Sequence, residues 1–584
     1  MRINSKIESV KKLYAILFDE KENMLVFIIY AAIISLLYLA IPLAAQVLVN
    51  VISTGVLLQP IIMITTAVFI GLLFLGILRI FQLFIAEIIQ RKIFAKIALQ
   101  ISQKLPQISQ KYLGQIYAPE LVNRFFDVIT IQKTLTLILL EVPSAIFQIL
   151  LGFILMGIYS PLLMIFDTLL ILTIVFVYSL GYNGINSSKK QSNAKYKVAH
   201  WLEELARCQI SFKMTQANNY AMNEVDERII NYVDKRKEHF QVLFRQYSAS
   251  FFIAALASAS VLAIGGWLVM QGKLSLGQLV ASELVILMIV SSLDKIVQKF
   301  ESWYDLLTAI DKVSLITDLE TERKDGIDLN PSESGLRVVC DDLSFSYNEQ
   351  RKVLDKIKLE LEPGSKKSLV GVSGAGKTTF AYLLSGLQEF QEGNLLLNNS
   401  PIKGLKLSSI RENIALVSDY NEIFAGTIEE NIILGRNNLN KENLDEVIEM
   451  VHLERDIKQF PLGIKTSLLS EGRNISLGQR QRILLARALI TKPKLLILDE
   501  AFGGMDEKTK LTIINNIFDT KQPWTILNIT HDAEVVLRTN YIYLLDQGKI
   551  IEEGNTKSLL DISQTQLSIL FPDLHKILKG ASLG

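Results

Sequence analysis

Long uninterrupted runs of apolar residues dominate the first half of the chain. Six of them are long enough to cross a bilayer, which takes about 20 apolar residues. They are residues 24–48, 60–86, 135–159, 162–180, 248–270 and 276–297. The first run is too long for a cleaved signal peptide, and further runs follow it. The pattern predicts an all-α membrane domain with six spans within residues 1–317.

Lysine and arginine residues are concentrated in three segments outside these runs. Basic residues are found in the segment before the first run and in the two long connections, about 90–133 and 183–245. The three short turns that would lie on the other side of the membrane contain only Lys273. Because basic loops stay on the cytoplasmic side, we expect both chain ends and both connections there. The sequence thus predicts a multi-pass protein, surrounded by lipid, in a bacterial-type cytoplasmic (inner) membrane.

The two long connections are rich in helix-forming residues. We expect helices that leave the membrane, turn around in water and meet a soluble domain. The turns are predicted at the polar breaks 114–120 and 208–213. Solvated helical hairpins without such a contact are the alternative.

The periodicity changes after the sixth run. Residues 318–335 are dense in charges and contain Pro331, Ser332 and Gly335, which is typical of a linker. Between residues 336 and 560, short apolar runs alternate with helical patterns, which predicts a mostly parallel sheet in an α/β domain. Residues 561–584 form a polar, weakly periodic tail.

Composition and charge narrow the class of protein. Half of the residues are hydrophobic, and 60 Lys and Arg against 59 Asp and Glu give a net charge of +1, so nothing indicates a nucleic-acid partner. Two cysteines exclude a disulfide scaffold. Asp167 and Glu283 lie inside predicted spans. Each is a candidate for the substrate path, with pairing to another helix as the alternative.

One glycine-rich stretch has the residue order of a phosphate-binding loop. It reads Gly371-Val372-Ser373-Gly374-Ala375-Gly376-Lys377-Thr378-Thr379, after an apolar run and before a helical pattern. Backbone N–H groups of such a loop converge on an anion, and the helix N-terminus adds partial positive charge. Lys377 would reach the terminal phosphates, and the Thr378 hydroxyl would ligate Mg²⁺. A surface loop that fits the pattern by chance is the alternative.

Two further stretches carry candidate chemistry. The apolar run 495–498 ends in Asp499, which would hold Mg²⁺ in a P-loop fold, and Glu500, which would accept a proton from the attacking water. A strand that ends in two surface carboxylates without a metal is the alternative. Ser476, Gly478 and Gln479 open a predicted helix and would offer a hydroxyl, N–H groups and the helix dipole to a phosphate.

With the residues that follow, these motifs resemble those of an ABC transporter half-molecule of the exporter type, over nearly the whole chain. Residues 371–379 are similar to Walker A, 495–500 to Walker B and 475–479 to the signature. The resemblance implies that Asp506 belongs to the D-loop, that His531 is the switch histidine at the γ-phosphate and that Tyr347 stacks on adenine. It also implies an α/β P-loop nucleotide-binding domain with a helical subdomain. A core aromatic at Tyr347 and a strand cap at His531 are the alternatives.

The resemblance further implies two half-transporters that act together. ATP and Mg²⁺ would lie between the Walker motifs of one chain and the signature of the other, and coupling helices near 118–123 and 211–216 would carry the closing motion. The implied activity is an ATPase that drives export by alternating access. The substrate would be a lipid, a peptide or toxin, or a hydrophobic drug. The hypothesis of peptide secretion is less favoured, though it stays open, because no peptidase segment precedes the first span.

Two positions depart from the family pattern. Asp419 stands where the family has the Q-loop glutamine; it could still ligate Mg²⁺, but its shorter reach and charge could alter coupling. Leu477 replaces the first signature glycine, and its Cβ could crowd the phosphate of the opposing site. An altered signature beside intact Glu500 and His531 would suit one half of a heterodimer. We nevertheless expect a homodimer.

Two other classes of protein share these motifs. Soluble ATPases of DNA repair and chromosomes carry the same Walker and signature residues, but six predicted spans argue against them. An ATP-gated channel or sensor is the second alternative. Such a channel would move its substrate only downhill and would continue to do so when Glu500 is replaced by Gln.

Overall fold

The structure, a computed structural model, describes residues 2–54, 58–113, 118–160, 172, 175–330, 335–347, 351–418, 422–436, 439–561, 565–570 and 572. The chain forms two compact units. The first comprises Met1–Ile108 and Gln115–Glu320, and the second comprises Ser109–Gly114 and Thr321–Gly584.

Helices make up the described part of the first unit. They are Arg2–Phe18, Lys21–Tyr38, Ala40–Thr54, Leu58–Lys104, Ala118–Asn123, Asp127–Tyr159, Gly184–Arg207, Gln209–Met214, Asn218–Met270 and Leu276–Thr317. In helices the backbone polar groups between the two ends are hydrogen-bonded within the segment, as an apolar bilayer requires. The prediction of an all-α membrane domain is therefore confirmed.

Five described stretches are long and apolar enough to cross a membrane. They are Lys21–Ser53, Leu58–Gln107, Leu121–Tyr159, Asn218–Met270 and Leu276–Thr317. Each contains one of the six apolar runs of the sequence. The remaining run, 162–180, lies mostly outside the described residues, and so does Asp167.

Close helix packing in this unit relies on small and paired polar side chains. A Cβ on Gly152 would lie 2.7 Å from Ile289 Cγ1, so the two helices approach each other through this glycine. Near this contact along the same helices, the Ser292 hydroxyl donates to Gln148 Oε1 at 2.6 Å. Small residues and interhelical hydrogen bonds are the usual means by which membrane helices associate.

Glu283 lies in the helix Leu276–Thr317, as the sequence indicates. Its Oε2 atom is buried, and no hydrogen bond reaches it from the part of the chain that the structure describes. A carboxylate in this position remains a candidate for the substrate path.

The turn between the helices Gly184–Arg207 and Asn218–Met270 is held by aromatic side chains. Its polar segment forms the short helix Gln209–Met214, two residues before the coupling helix expected at 211–216. The Trp201 ring lies edge-on to Phe212 and Tyr220, with centroids 6.2 and 6.1 Å away. The Arg228 guanidinium lies 4.7 Å from the Trp201 ring centroid. These contacts order the turn.

The second unit contains two main sheets. The strands are β1 (Val338–Phe345), β2 (Leu354–Leu361), β3 (Lys366–Gly371), β4 (Glu392–Leu397), β5 (Ser400–Pro401), β6 (Ile414–Val417), β7 (Gly426–Thr427), β8 (Ser467–Leu468), β9 (Leu495–Asp499), β10 (Thr525–Ile529), β11 (Tyr541–Asp546) and β12 (Lys549–Asn555). One sheet is antiparallel with the order β2-β1-β4-β5. The larger sheet has the order β12-β11-β3-β10-β9-β6, and only β12 is antiparallel in it. The predicted α/β class is confirmed.

Helices complete the second unit. They are Gln110–Leu113, Lys377–Leu384, Leu407–Asn413, Ile428–Ile433, Lys441–Met450, Glu454–Gln459, Leu477–Leu489, Glu507–Phe518, Ala533–Val536, Thr556–Asp561 and Gln566–Leu570. Strands β3, β9 and β10 are buried along their whole length, so they form the rigid centre of the unit.

Part of the predicted linker packs on the second unit. Ile327 forms a β-bridge with Leu405, and Leu329 is buried in the hydrophobic core. The Glu322 carboxylate pairs with the Arg411 guanidinium at 2.6 Å. The second unit therefore begins before its first long strand.

Candidate nucleotide-binding and hydrolysis site

A cleft of about 950 Å³ opens at the carboxyl ends of the central parallel strands. The P-loop follows β3, Glu500 follows β9 and Thr530 and His531 follow β10, and these three strands are neighbours. Ligands bind at this edge of parallel sheets. Of the predicted site residues, the cleft is lined by Gly371, Ser373, Gly374, Gly376, Lys377, Thr378, Thr379, Asp499, Glu500 and His531.

The P-loop takes a shape that glycine alone allows. Gly374 and Gly376 have φ angles of 82° and 107°, which residues with a Cβ rarely adopt. A Cβ on Gly376 would also lie 2.8 Å from Leu354 Cδ2. Ala375 lies behind the loop, where its carbonyl accepts from the Gly548 N–H at 3.2 Å. The loop leads into the helix Lys377–Leu384.

The Lys377 ammonium folds back over its own loop. Nζ donates to the carbonyl oxygens of Gly371 at 2.7 Å and Val372 at 3.1 Å. Burial lowers the pKa of Lys377, while the nearby carboxylates of Glu500 and Asp499 act in the opposite direction. Carbonyl oxygens are neutral acceptors, so an arriving phosphate would offer this cation a stronger partner.

The Thr378 hydroxyl and the Asp499 carboxylate meet inside the cleft. Thr378 Oγ1 donates to Asp499 Oδ2 at 2.7 Å. Both are hard oxygen donors of the kind that Mg²⁺ prefers, and Mg²⁺ usually completes its shell with waters and substrate phosphates. Among the described residues, no group of three or more His, Cys, Asp or Glu is placed so that it could hold a metal ion by itself. The pair therefore fits a magnesium ion held partly by nucleotide. Asp419, the third predicted ligand, lies outside the described residues.

Glu500 is held by two residues that follow β10. Its Oε1 atom is 2.9 Å from His531 Nδ1, and its Oε2 atom accepts from the Thr530 hydroxyl at 3.3 Å. Glu500 has a φ of 51°, a strained value for a residue with a side chain. Its N–H donates to the Ile529 carbonyl at 3.0 Å, which fixes the turn. The carboxylate is thus aimed into the cleft with both oxygens oriented.

Tyr347 contacts the nucleotide loop from its edge. Its hydroxyl lies 3.2 Å from Thr379 Oγ1, and its ring packs edge-on against Phe345 with centroids 4.8 Å apart. The side chain is 55% exposed. An aromatic ring that is tethered and still exposed can offer a face to a planar base.

The signature residues form the first turn of the helix Leu477–Leu489. Ser476 Oγ accepts from the Gln479 N–H at 3.2 Å, and Gln479 Oε1 accepts from the Ser476 N–H at 2.9 Å. This capping box leaves the turn well ordered. Gln479 Nε2 also donates to Asp456 Oδ1 at 2.8 Å. Asp506 caps the helix Glu507–Phe518 in a similar way, by accepting from the Thr509 N–H at 2.9 Å.

The cleft also contains residues that the sequence did not single out. Lys510 pairs with Asp532 at 2.6 Å, and both line the cleft next to His531 and Thr530. Asp532 also caps the helix Ala533–Val536 through Oδ1. Only their positions in the sequence could have indicated that these two residues line the cleft. Asp532 directly follows His531, and Lys510 lies one helical turn beyond Asp506.

A half-buried arginine lies close to the segment that follows position 419. Arg487 donates to the carbonyl oxygens of Asn431 at 2.6 Å and Glu422 at 2.9 Å, and to Asn431 Oδ1 at 2.9 Å. Burial, and secondarily the charge of Arg436, lowers the pKa of Arg487 to about 10. This side chain connects the signature helix with the segment beyond the Q-loop position.

Two family models match the chain over consecutive regions. The model described as ABC transporter transmembrane region matches residues 24–293, and the model described as ABC transporter matches residues 354–503. The chain belongs to the ABC transporters. With a membrane region followed by an ATP-binding region, it is a half-transporter of the exporter type and an ATPase coupled to transport across a membrane.

Curated relatives match most of this ABC transporter. ComA of Streptococcus pneumoniae serotype 4, a transport/processing ATP-binding protein, is 27% identical over 84% of the chain and 68% of ComA. LcnC of Lactococcus lactis, a lactococcin-A transport/processing ATP-binding protein, is 25% identical over 89% of the chain and 71% of LcnC. An ATP-dependent lipid A-core flippase of Saccharophagus degradans is 34% identical over 44% of each chain. The chain spans about two thirds of the length of ComA and LcnC.

A solved structure has the same fold. It is a bacterial Atm1-family ABC exporter with ATP bound, with a TM-score of 0.85 and 20% identity, and the match covers 96% of this chain and 99% of that one. The relatives and this fold together support ATP-driven export by a multi-pass membrane protein.

Proposed function

We propose that this ABC transporter exports its substrate by alternating access, powered by ATP that is bound between two chains. The observation that carries the proposal is the Glu500–His531 contact at 2.9 Å, beside the P-loop and the Thr378–Asp499 pair. A general base must lie within hydrogen-bond reach of the proton that it accepts. Glu500 faces the cleft and can hold the attacking water, while His531 and Thr530 keep its carboxylate oriented.

The remaining site residues receive roles that follow from their chemistry. Lys377 would transfer its hydrogen bonds from loop carbonyls to the terminal phosphates, and the P-loop N–H groups would bind the phosphate oxygens. Thr378 and Asp499 would hold Mg²⁺, which supplies charge neutralisation at the phosphates when bound. Tyr347 would stack on the adenine.

We further propose that the signature of one chain completes the site of the other. Ser476, Gly478 and Gln479 form an ordered helix N-terminus, which suits an anion. The partner would be a second copy of this chain, with a different half-transporter as the alternative. The ATPase unit, both long connections and the chain ends would lie in the cytoplasm, and the short helices Ala118–Asn123 and Gln209–Met214 would act as coupling helices.

Transport by inverted vesicles tests the proposal. ATP should drive vanadate-sensitive accumulation of substrate, and Glu500→Gln should abolish it. We expect this substitution to lower the rate of hydrolysis about 100- to 10,000-fold, the usual contribution of a general base, while ATP still binds. Downhill movement that continues in Glu500→Gln would instead identify a gated channel. A variant that hydrolyses ATP at the wild-type rate would contradict the role of Glu500.

The substrate can be sought with the same preparation. Lipids, peptides or toxins, and hydrophobic drugs are each added to the protein in reconstituted bilayers, and the stimulation of ATP hydrolysis is measured. The compound that stimulates wild type should then be accumulated by vesicles. The Glu500→Gln variant serves as the control for hydrolysis by contaminating enzymes.

A further inference from the structure

Leu477, the residue that departs from the family signature, packs on the D-loop of its own chain. A Cβ on Gly504 would lie 2.6 Å from both Cγ and Cδ2 of Leu477, and 3.0 Å from its Cβ. Ordinary van der Waals contact begins at 3.4 Å, so no larger residue fits at position 504 while Leu477 stays in place. The leucine therefore occupies the space that a side chain at 504 would need.

A second contact joins the same two segments. A Cβ on Gly478 would lie 2.7 Å from the carbonyl oxygen of Gly504 and 3.5 Å from the Met505 Cα. The backbone of the signature turn thus approaches the backbone of the D-loop as closely as a glycine permits. Leu477 extends this contact on one side, and its side chain also lines the nucleotide cleft.

The D-loop is short and begins at the proposed base. It runs from Glu500, directly after β9, to Asp506, which caps the next helix. Ala501 and Phe502 are buried, whereas Gly503 and Gly504 are exposed, and the would-be Cβ of Gly504 faces Leu477 of the signature turn. A shift at Gly504 would therefore be passed along a few bonds to Glu500 on one side and to Asp506 on the other.

We propose that Leu477 is a positioning residue for ATP hydrolysis, that it holds the D-loop against the signature helix, and that Gly504 is the residue that makes room for it. The inference rests on the proposed function, because it assumes that Glu500 and the D-loop act in hydrolysis. On this account Leu477 is not a defect of the signature. Positions 477 and 504 form one unit.

The size of the effect follows from the overlap. With an alanine at 504, the contact of 2.6 Å must lengthen by about 0.8 Å to become ordinary. Displacements of this size at a catalytic group cost about tenfold to a hundredfold in rate. The substitutions leave the P-loop and the contacts of Lys377 with its carbonyl oxygens in place. We therefore expect the loss to fall on kcat rather than on the KM for ATP.

The experiment is a double-mutant cycle on the full chain in reconstituted bilayers. It measures kcat and KM for ATP in wild type, Leu477→Gly, Gly504→Ala and the double variant. We expect Gly504→Ala to lower kcat about tenfold in wild type and less than about threefold when residue 477 is glycine. Leu477→Gly alone should lower kcat about fivefold, and Leu477→Met should restore most of it, because methionine fills a similar volume.

Two matched controls separate this coupling from general effects. Gly435 has a φ of 72°, nearly the 71° of Gly504, but nothing lies within 4 Å of its would-be Cβ. The kcat of Gly435→Ala therefore measures the effect of backbone strain at a positive φ, without a steric overlap of the new Cβ. Leu462 is an exposed leucine of the same unit. The kcat of Leu462→Gly therefore measures the general effect of replacing an exposed leucine by glycine. Both controls should keep kcat within about twofold of wild type, since substitutions at exposed positions away from tight packing are usually mild.

Two outcomes would overturn the inference while leaving the proposed function intact. One is a cycle in which Gly504→Ala costs the same with leucine and with glycine at 477. The other is a Leu477→Gly variant with kcat equal to or above wild type, which would mean that the leucine crowds the opposing phosphate. Absence of hydrolysis in wild type, or hydrolysis unaffected by Glu500→Gln, would instead contradict the proposed function.

Discussion

The ion pair between Lys510 and Asp532 should contribute to ATP hydrolysis, because it ties the helix after the D-loop to the segment that carries His531. The two charged atoms are 2.6 Å apart, and the side chains are only 18% and 29% exposed. Two unit charges 4 Å apart attract by about 4 kcal/mol at an effective dielectric constant of 20. Desolvation and lost side-chain entropy offset part of this attraction. We expect a net coupling of about 1–2 kcal/mol, intermediate between exposed and buried pairs.

The substitutions can be chosen so that they remove the charges alone. Asp532→Asn keeps an oxygen for the helix cap that Oδ1 makes with the Glu534 N–H, since Asn caps helices as well as Asp does. Lys510→Met keeps most of the length of the lysine side chain. A coupling of about 1–2 kcal/mol corresponds to about fivefold to thirtyfold in kcat.

The assay is kcat at saturating ATP for wild type, both single variants and the double variant. Each single variant should be slower than wild type, and the double variant should be little slower than either, because the interaction can be lost only once. Lys508→Met, which removes an exposed lysine of the same helix, should leave kcat near wild type. If the losses in Lys510→Met and Asp532→Asn simply multiply in the double variant, the ion pair plays no part in hydrolysis.

Three further predictions concern binding and the cytosolic turn. Lys377→Ala should weaken ATP binding about tenfold to a hundredfold, the range for hydrogen bonds to a charged group, and an unchanged affinity in equilibrium binding would count against the P-loop assignment. Tyr347→Ala should weaken ATP binding about tenfold through loss of stacking, whereas Tyr347→Phe, which loses only the contact with Thr379, should stay within about twofold. Trp201→Ala should loosen the turn around the helix Gln209–Met214 and speed tryptic cleavage after Lys213 about threefold to tenfold, as followed by mass spectrometry. Equal cleavage rates would show that the aromatic cluster does not order the turn.

The positions of the P-loop, Glu500 and His531 could be predicted because each follows a buried parallel strand. A run of apolar residues is visible in sequence, and neighbouring parallel strands present their carboxyl ends at one edge of the sheet. The structure brings these residues into one cleft on strands β3, β9 and β10. Residues that directly follow these strands are therefore the part of the site that is easiest to predict from the sequence.

Contacts that depend on tertiary packing could not be predicted in the same way. Lys510 and Asp532 are separated by 22 positions, and the sequence pattern of neither segment predicts that they form an ion pair. The sequence predicts that Leu477 crowds a phosphate of the opposing site, because it has a Cβ where the family has glycine. Its close contact with Gly504 depends on how the signature helix lies against the D-loop, which no local pattern contains.

Helix boundaries show the same limit in the membrane unit. The apolar run 24–48 reads as one span, but the helix changes at Leu39 between Lys21–Tyr38 and Ala40–Thr54. The segment expected at 211–216 is helical from Gln209 to Met214, because the chain turns at Gln216 with a φ of 51°. Hydropathy reports where apolar residues lie, whereas bends are set by neighbouring helices.

The capping box at Ser476 determines which kind of ligand the signature turn can accept. The hydroxyl oxygen already accepts from the Gln479 N–H, and the side-chain oxygen Oε1 of Gln479 accepts from the Ser476 N–H. The Ser476 hydroxyl can still donate its hydrogen. A phosphate can take that hydrogen while the helix keeps its cap, and the partial positive charge of the helix N-terminus favours an anion over a cation at this turn. An anion would therefore be able to bind to this turn and leave it without unwinding the helix.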